Sequence, residues 1–312
     1  MFIKTFTNES LTTIEKWLKL RLLSHNELKF CVLNPDISTS HFSGEIITIN
    51  QIAYRYRSYK AWVNLAELLC CRMLTPKIID NTHVQLTFQK LKTHDSFHTH
   101  TVKDKSEKYG TNSTFFRIHK NEEPTFLHTY TQALKAVKIE TRQSVLNLGI
   151  NEGDEFELIK QLVKPAHFKS MQLIGIDHSQ TAIKYTQQRF PKKHFYQHDI
   201  NALEELNLPK ADLIISIGTL QSPTINYKPF LMSLVQNHLT DNGALILGFP
   251  NSRWIDHELV YGAKAPNYNY SEMSLLFNDV IFAKKYLQQK KFRVTITGRE
   301  YIFITATKIG IG

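Results

Sequence analysis

The chain has 312 residues, of which 42% are hydrophobic and 21% charged, a composition typical of a globular protein with room for two domains. No apolar run reaches the roughly 18 residues that a membrane span needs, and an odd count of three cysteines does not suit a disulfide framework. The formal net charge of +10 favours a polyanionic partner.

The N-terminus has no apolar signal core, so we expect a cytoplasmic protein. Residues 1–92 are predicted to form a small α+β module. Apolar residues at helical spacing predict an amphipathic helix over 9–23 and a second helix over 61–74, which would bury its two adjacent cysteines. Alternation of apolar and polar residues over 83–91 predicts a half-buried strand.

The segment YRYRSYK, residues 54–60, interleaves basic and aromatic side chains. At strand spacing Tyr54 and Tyr56 would share one face, and Arg55 and Arg57 the other. Such faces contact phosphates and stack bases, so this module is a candidate docking element for a structured RNA. The alternative is an ordinary solvated surface.

Residues 93–123 are polar and irregular, which predicts a linker or a capping segment. The histidine run His94, His98 and His100 lacks a persuasive fourth ligand, so we interpret it as a polar loop and expect no metal.

From residue 124 to residue 312 predicted strands and helices alternate, which indicates an α/β fold with a doubly wound sheet covered on both faces. Strands are predicted at 144–149, 171–176, 194–197, 211–216 and 243–249, and helices at 124–137, 153–163, 179–189 and 227–239. The C-terminal KKFRVTITGREYIFITATK predicts two strands joined by a tight turn, which can only be antiparallel.

Polar residues follow the predicted strands at the edge where ligands of open α/β sheets bind. The first strand leads into a turn with Gly149 and Gly153, where the backbone can approach a ligand closely. The second ends at Asp177, whose carboxylate can accept hydrogen bonds from both hydroxyls of a ribose. The third ends at Asp199, a candidate acceptor for an adenine amino group.

The motifs VLNLGINEG, GIDHSQTAIKYTQQRFP, HDI, ADLIISIGTL and LTDNGALILGFP follow one another in this order. Together with the terminal hairpin they resemble the class I S-adenosylmethionine-dependent methyltransferases over residues 124–308, which have a Rossmann-like sheet of seven strands. The resemblance implies S-adenosyl-L-methionine as cofactor. It implies cofactor contacts from Asn147, Gly149, Asn151, Gly153, Asp177, His178, Asp199, Ile200 and Ser216.

The chain departs from this family at two positions. The family usually has an acidic residue at Asn147 and a glycine at Asn151. Asparagine tolerates the left-handed conformation, so Asn151 is expected to keep the turn. Glu152 and Asp154 are candidates to replace the missing charge, and Asp154 is also predicted to be the helix N-cap. In this family the segment before the first strand often closes over the cofactor, which makes Tyr109, Arg117 and Lys120 candidates for that role.

The stretches 218–223 and 251–279 are candidates to line an acceptor pocket. The second stretch places aromatic rings beside cations, which suits an anion with a planar ring, although it is equally interpretable as a structured cap. The catalytic residues are not identified; His257 and Tyr268 are candidates. The candidate substrate contacts are Arg117, Gln221, Arg253, Trp254 and Tyr270.

Three functions remain open. The first is a methyltransferase that acts on RNA, with the basic N-terminal module for docking. The second is a methyltransferase for a small molecule. Its support is the SIGTLQS loop, which resembles small-molecule members of the family more than base-modifying members. The third is a degenerate domain that serves as a protein scaffold, and its support is Asn147 and Asn151. The sequence does not indicate an oligomeric state.

Overall fold

The computed structural model describes residues 3–37, 40–93, 107–263 and 271–310. The chain divides into two compact units. The first comprises Met1–Ser96 and Trp254–Val260, and the second comprises Phe97–Arg253 and Tyr261–Gly312. No helix within the described ranges combines the length and the apolar character that crossing a membrane requires.

The first unit is a small sheet packed against two helices. Its elements are β1 (Lys4–Thr5), α1 (Leu11–Leu22), β2 (Glu27–Leu33), β3 (Ile46–Ile49), β4 (Ile52–Arg55), α2 (Tyr59–Leu68), β5 (Cys71–Met73), β6 (Lys77–Ile78) and β7 (His83–Lys90). Strand β7 pairs antiparallel with β2, β5 and β6, and β1 runs parallel to β2. Strands β3 and β4 form a separate hairpin. Phe30, Trp62 and Phe88 fill the core between sheet and helices, which confirms the α+β prediction.

The predicted helix over 61–74 is wrong in its second half. Helix α2 ends at Leu68, and Cys70 adopts a left-handed conformation with φ 53°. The next three residues pair with β7 as strand β5, so sheet pairing overrides the helical pattern there. Cys71 is buried, as expected, whereas Cys70 is only half-buried.

The basic and aromatic face predicted for 54–60 does not form as a strand. Strand β4 ends at Arg55, and α2 begins at Tyr59. Tyr54 and Tyr56 are buried core residues. The Arg57 guanidinium is also buried, and it donates to the Glu9 carbonyl at 2.6 Å. These two rings and this guanidinium group are therefore buried and are not available to stack on bases.

Ser58 caps helix α2, since its hydroxyl accepts a hydrogen bond from the Ala61 amide at 3.3 Å. Ser58→Ala is expected to lower the free energy of unfolding of the first unit by about 1 kcal/mol, because the amide loses its partner. Denaturation followed by tryptophan fluorescence measures this unit alone, since Trp17, Trp62 and Trp254 all belong to it. Ser58→Asp keeps a capping oxygen and should unfold like the wild type; an equal loss in both variants would contradict the capping role.

The rest of the chain forms α3 (Pro124–Ala136), β8 (Ser144–Leu148), α4 (Asp154–Leu162), α5 (Pro165–Ser170), β9 (Gln172–Asp177), α6 (Gln180–Arg189), β10 (His194–Gln197), β11 (Ala211–Ile217), α7 (Tyr227–Ser233), β12 (Leu239–Pro250), β13 (Ser252–Ile255), β14 (Glu258–Tyr261), α8 (Ser274–Gln289), β15 (Phe292–Gly298) and β16 (Tyr301–Lys308). The predicted helix over 227–239 differs at its end, where Leu234–His238 forms a wider π turn.

The seven-stranded sheet of the second unit has the order β10-β9-β8-β11-β12-β16-β15. Its strands are parallel except β16, which runs antiparallel to both neighbours and completes the C-terminal hairpin. This confirms the predicted doubly wound Rossmann-like sheet and its antiparallel hairpin. The chain order reverses between β8 and β11, so the turn after β8 lies at the topological switch point, where ligands of such sheets bind.

Candidate functional site

The turn between β8 and α4 is built from left-handed residues. Gly149, Asn151 and Gly153 have φ values of 77°, 46° and 84°. The Gly149 and Ile150 amides both donate to the Ile176 carbonyl, at 2.8 and 3.0 Å, which fixes the turn to strand β9. The left-handed conformation predicted for Asn151 is confirmed.

Protein side chains, and not open space, lie against the two glycines. A Cβ atom on Gly149 would lie 2.0 Å from Thr219 Oγ1, and one on Gly153 would lie 2.8 Å from the Phe190 ring and 3.0 Å from Thr186. Packing within the protein thus already requires both glycines. The expectation that they are there for a ligand needs other support.

Asp177, at the end of β9, holds the turn from the opposite side. Its Oδ2 accepts a hydrogen bond from the Asn151 amide and its Oδ1 from the Ser179 amide, each at 3.0 Å. The residue is 5% exposed, and this burial raises the pKa of the Asp177 carboxyl although both amide bonds oppose the rise. A carboxylate oxygen has room for two donors, so each oxygen can accept one more hydrogen bond.

Asn147 presents a buried amide two residues before the turn. It is 1% exposed, and neither Oδ1 nor Nδ2 has a hydrogen-bond partner in the part of the chain that the structure describes. Its neighbours across the sheet are Gly175 and Ile215, which offer no polar side chain. Buried polar groups are nearly always paired, so this amide is suited to bind a polar ligand group.

The start of the segment 107–123 is fastened to the region of the turn. The Glu107 carboxylate accepts from the Ser179 hydroxyl at 3.0 Å, the Thr181 amide at 3.3 Å and the Thr181 hydroxyl. Burial raises the pKa of Glu107, but these hydrogen bonds outweigh it and the pKa ends below its ordinary value. The Tyr109 carbonyl accepts from Asn151 Nδ2 at 2.8 Å, and the Tyr109 ring lies 6.2 Å from that of His178.

Three consecutive residues of the same segment bond the start of α4. His119 Nδ1 lies 3.2 Å from Glu152 Oε1, Lys120 Nζ lies 3.2 Å from Glu155 Oε1, and Asn121 Nδ2 donates to the Asp154 carbonyl at 2.8 Å. Lys120, a candidate to close over a cofactor, is therefore held by a buried ion pair. Arg117, the other cation proposed for that role, is exposed.

The predicted N-cap role of Asp154 is wrong. Gly153 occupies the cap position, and Asp154 is the first helical residue. Its Oδ1 accepts from Arg189 Nη1 at 2.9 Å, so its charge already has a partner. Glu152 is 5% exposed, and burial together with the negative charge of Asp154 raises its pKa to about 7.

The remaining cofactor candidates differ in exposure. Asp199 is exposed and accepts from the Asn201 amide at 2.9 Å, so it caps the short helical turn that follows. His178 is exposed, whereas Ile200 and Ser216 are buried. The Ser216 hydroxyl donates to a carbonyl of β8 at 3.3 Å.

Gln221 and Arg253 are two of the acceptor candidates in the second unit. Gln221, in the loop after β11, is half-buried, and its Oε1 atom is fully covered with no partner among the described residues. Arg253 donates to the Gly262 carbonyl at 2.6 Å and to the Ser271 hydroxyl at 3.0 Å, which gives it a structural role.

The other acceptor and catalytic candidates are placed as follows. Trp254 and His257 belong to the hairpin tip that is counted in the first unit. His257 is an exposed turn residue with φ 66°, and its Nδ1 lies 3.8 Å from Asp256 Oδ1. Tyr268 and Tyr270 lie outside the described residues, as does the histidine run 94–100.

No pattern in the sequence indicates Glu107, His119 or Thr219, which the structure brings to the turn. Glu107 and His119 stand in a polar segment without periodicity, and they meet residues far along the chain. Such contacts leave no local pattern. Thr219 belongs to the stretch 218–223, which the sequence marks as a candidate lining of an acceptor pocket. Its approach to Gly149, however, depends on the pairing of β8 with β11.

Glu107→Gln is expected to loosen the segment that begins at Glu107, because each hydrogen bond to a charged acceptor contributes about 1.5–3 kcal/mol. Limited trypsin digestion should cut at Lys108 about tenfold faster than in the wild type, since 1.4 kcal/mol corresponds to a factor of about 10. Glu272→Gln is a matched control, because the Glu272 carboxylate accepts hydrogen bonds from the amide and hydroxyl of its near neighbour Ser274 and does not fasten a distant segment within the described residues. It should be cut at Lys108 at the wild-type rate. Equal cutting rates in wild type and Glu107→Gln would disprove the fastening.

A comparison with known proteins finds a family model that matches the second unit and relatives that match part of the chain. A family model described as "Methyltransferase domain" matches residues 139–294. The chain is 30% identical over 122 residues to trans-aconitate 2-methyltransferase of Yersinia pestis and to that of Yersinia pseudotuberculosis. Each match covers 39% of this chain and 44% of the relative, so the chain spans less than half the length of these relatives.

The chain is also similar to solved structures of low sequence identity. A S-adenosylmethionine-dependent methyltransferase from Aquifex aeolicus is 16% identical with a TM-score of 0.41, covering 58% of this chain and 89% of that one. The N-methyltransferase NodS from Bradyrhizobium japonicum is 16% identical with a TM-score of 0.41, covering 61% and 99%.

Proposed function

The chain belongs to the class I S-adenosylmethionine-dependent methyltransferase family, and on this premise we propose that it transfers a methyl group from S-adenosylmethionine to an acceptor. The observation that carries the proposal is the Asn147 amide, which is buried at the switch point of the sheet and has no partner among the residues that the structure describes. Four hydrogen-bonding positions of this amide are open to a ligand with both donors and acceptors. The amino-acid end of the cofactor has both.

Two acidic residues at the same edge of the sheet as the turn would bind other parts of this cofactor. Asp177 would accept hydrogen bonds from the two ribose hydroxyls with the lone pairs that the Asn151 and Ser179 amides leave free. Asp199 would accept from the adenine amino group beside the buried Ile200. The sulfonium of the cofactor is itself an activated methyl donor. The contribution of this chain is therefore mainly to hold the two reactants in line, and His257 and Tyr268 remain proposals for a proton acceptor.

For the acceptor we propose a small organic molecule. The curated relatives that match are named for a small acid, trans-aconitate. In the loop after β11, Gln221 Oε1 is a covered acceptor atom with no hydrogen-bond partner in the described part of the chain. The alternating basic and aromatic residues that favoured RNA do not form an exposed face, because Tyr54, Tyr56 and Arg57 are buried.

A structured RNA is the second candidate, and the net charge of +10 supports it. Radiolabelled methyl transfer from S-adenosylmethionine into a small-molecule extract and into total RNA separates the two. Label in the small-molecule fraction that Gln221→Ala reduces would support the first candidate. Label in RNA that falls steeply with salt would replace it with the second, and no transfer into either would favour the scaffold function.

A further inference from the structure

A cluster at the turn between β8 and α4 has the donor set of a metal site. His119, Glu152 and Asp154 each offer one ligand atom, and these three atoms lie within 4.8 Å of one another. Imidazole nitrogen and carboxylate oxygen bind a metal ion at about 2.0–2.6 Å, so two ligands of one ion lie at most about 4–5 Å apart. The three atoms are thus close enough to share one ion.

An unpartnered atom of Asp154 independently indicates a ligand. The residue is 6% exposed, and Arg189 Nη1 occupies its Oδ1. Its Oδ2 is covered and has no hydrogen-bond partner within the described ranges. A buried carboxylate oxygen without a donor is unfavourable, and a bound cation would satisfy it.

The charges around the cluster also leave room for a cation. Three buried carboxylates, those of Glu152, Asp154 and Glu155, face two cations, Lys120 and Arg189. One negative charge therefore has no partner among these groups when all three acids are ionised. The ligands come from two chain segments, since His119 precedes α3 whereas both acids flank Gly153.

We propose that His119, Glu152 and Asp154 bind a divalent transition-metal ion, with water in the remaining positions. One nitrogen and two oxygen ligands suit an ion such as Zn²⁺, Co²⁺ or Mn²⁺. The ion joins the 119–121 segment to the first residues of α4. Its role is structural, because it holds this segment in place next to the cofactor turn.

Titration of the full chain with Co²⁺, without S-adenosylmethionine, tests the site directly. The expected result is one equivalent bound, with visible d–d bands and without the charge-transfer band of a cysteine ligand. His119→Ala and Asp154→Asn are each expected to weaken Co²⁺ binding at least tenfold. His41→Ala is the matched control, since His41 Nδ1 pairs with Glu45 at 2.7 Å without a third ligand in the clusters identified, and it should bind like the wild type.

Two further outcomes would overturn the proposal. One is the absence of Co²⁺ uptake by the folded wild type, or uptake that persists in both ligand variants. The other is loss of uptake when His94, His98 and His100 are replaced by alanine, which would assign the ion to that run instead. Thermal unfolding of the metal-free variants shows whether they fold, so a loss of binding cannot be confused with a loss of structure. Because no cofactor is present, failure here leaves the methyltransferase proposal unaffected.

Discussion

Gly149→Ala is expected to lower the free energy of unfolding of the second unit by about 2–5 kcal/mol and to abolish cofactor binding. The left-handed conformation costs an alanine about 1–2 kcal/mol, and forcing a methyl group into a packed site adds about 1–3 kcal/mol. Here the new Cβ would lie 2.0 Å from Thr219 Oγ1, so the loop after β11 must move. Denaturation followed by far-UV circular dichroism measures the loss of stability.

Gly44→Ala separates the cost of the left-handed backbone from the cost of the steric clash. Gly44 has φ 112°, but no atom of the described residues lies within 4 Å of a Cβ placed there. This variant should show only the backbone cost, as measured in the first unit by tryptophan fluorescence. Thr219→Ala should also recover part of the loss in a Gly149→Ala background, because it removes the clashing hydroxyl. Equal losses at both glycines and no recovery would show that the contact with Thr219 does not matter.

Asp177→Ala is expected to weaken S-adenosylmethionine binding by about 3 kcal/mol, which is more than a hundredfold in Kd. The variant loses the acceptor for the ribose hydroxyls, and it also releases the Asn151 and Ser179 amides that shape the turn. Equilibrium dialysis with labelled cofactor gives the change in Kd.

Asp212→Ala is the control for a general loss of stability. The Asp212 carboxylate also accepts from two backbone amides, those of Gln143 and Ser144, at 2.7 and 2.9 Å. These amides lie at the amino end of β8, away from the edge where ligands bind. The control should lose similar stability and keep its cofactor affinity. Equal loss of affinity in both variants would contradict the specific role of Asp177.

The fold of the second unit could be predicted because its sequence pattern is local. Buried strands alternate with helices, and a tight turn before Tyr301 requires an antiparallel pair. The errors arose where tertiary contacts override local pattern. Sheet pairing turns residues 71–73 from helix into strand, and packing draws Tyr54 and Tyr56 into the core of a module whose sequence suggested an exposed face.

The site could be predicted in outline for the same reason. The left-handed Asn151 and the acid at the end of β9 follow from the turn and the strand that carry them. The partners of the turn come from elsewhere in the chain. Glu107 bonds residues 72 and 74 positions away, and Thr219 reaches Gly149 only through the order of the strands. No periodicity in one sequence encodes such contacts.

Calorimetric titration of the wild type with S-adenosylmethionine tests the central claim, that the turn after β8 is a cofactor site. We predict saturable binding of one molecule per chain in the micromolar range, which Asp177→Ala weakens and Asp212→Ala does not. A folded wild type that gives no saturable heat would contradict the claim. It would mean that Asn147 and Asn151 have disabled the site, and that the family fold here serves as a scaffold.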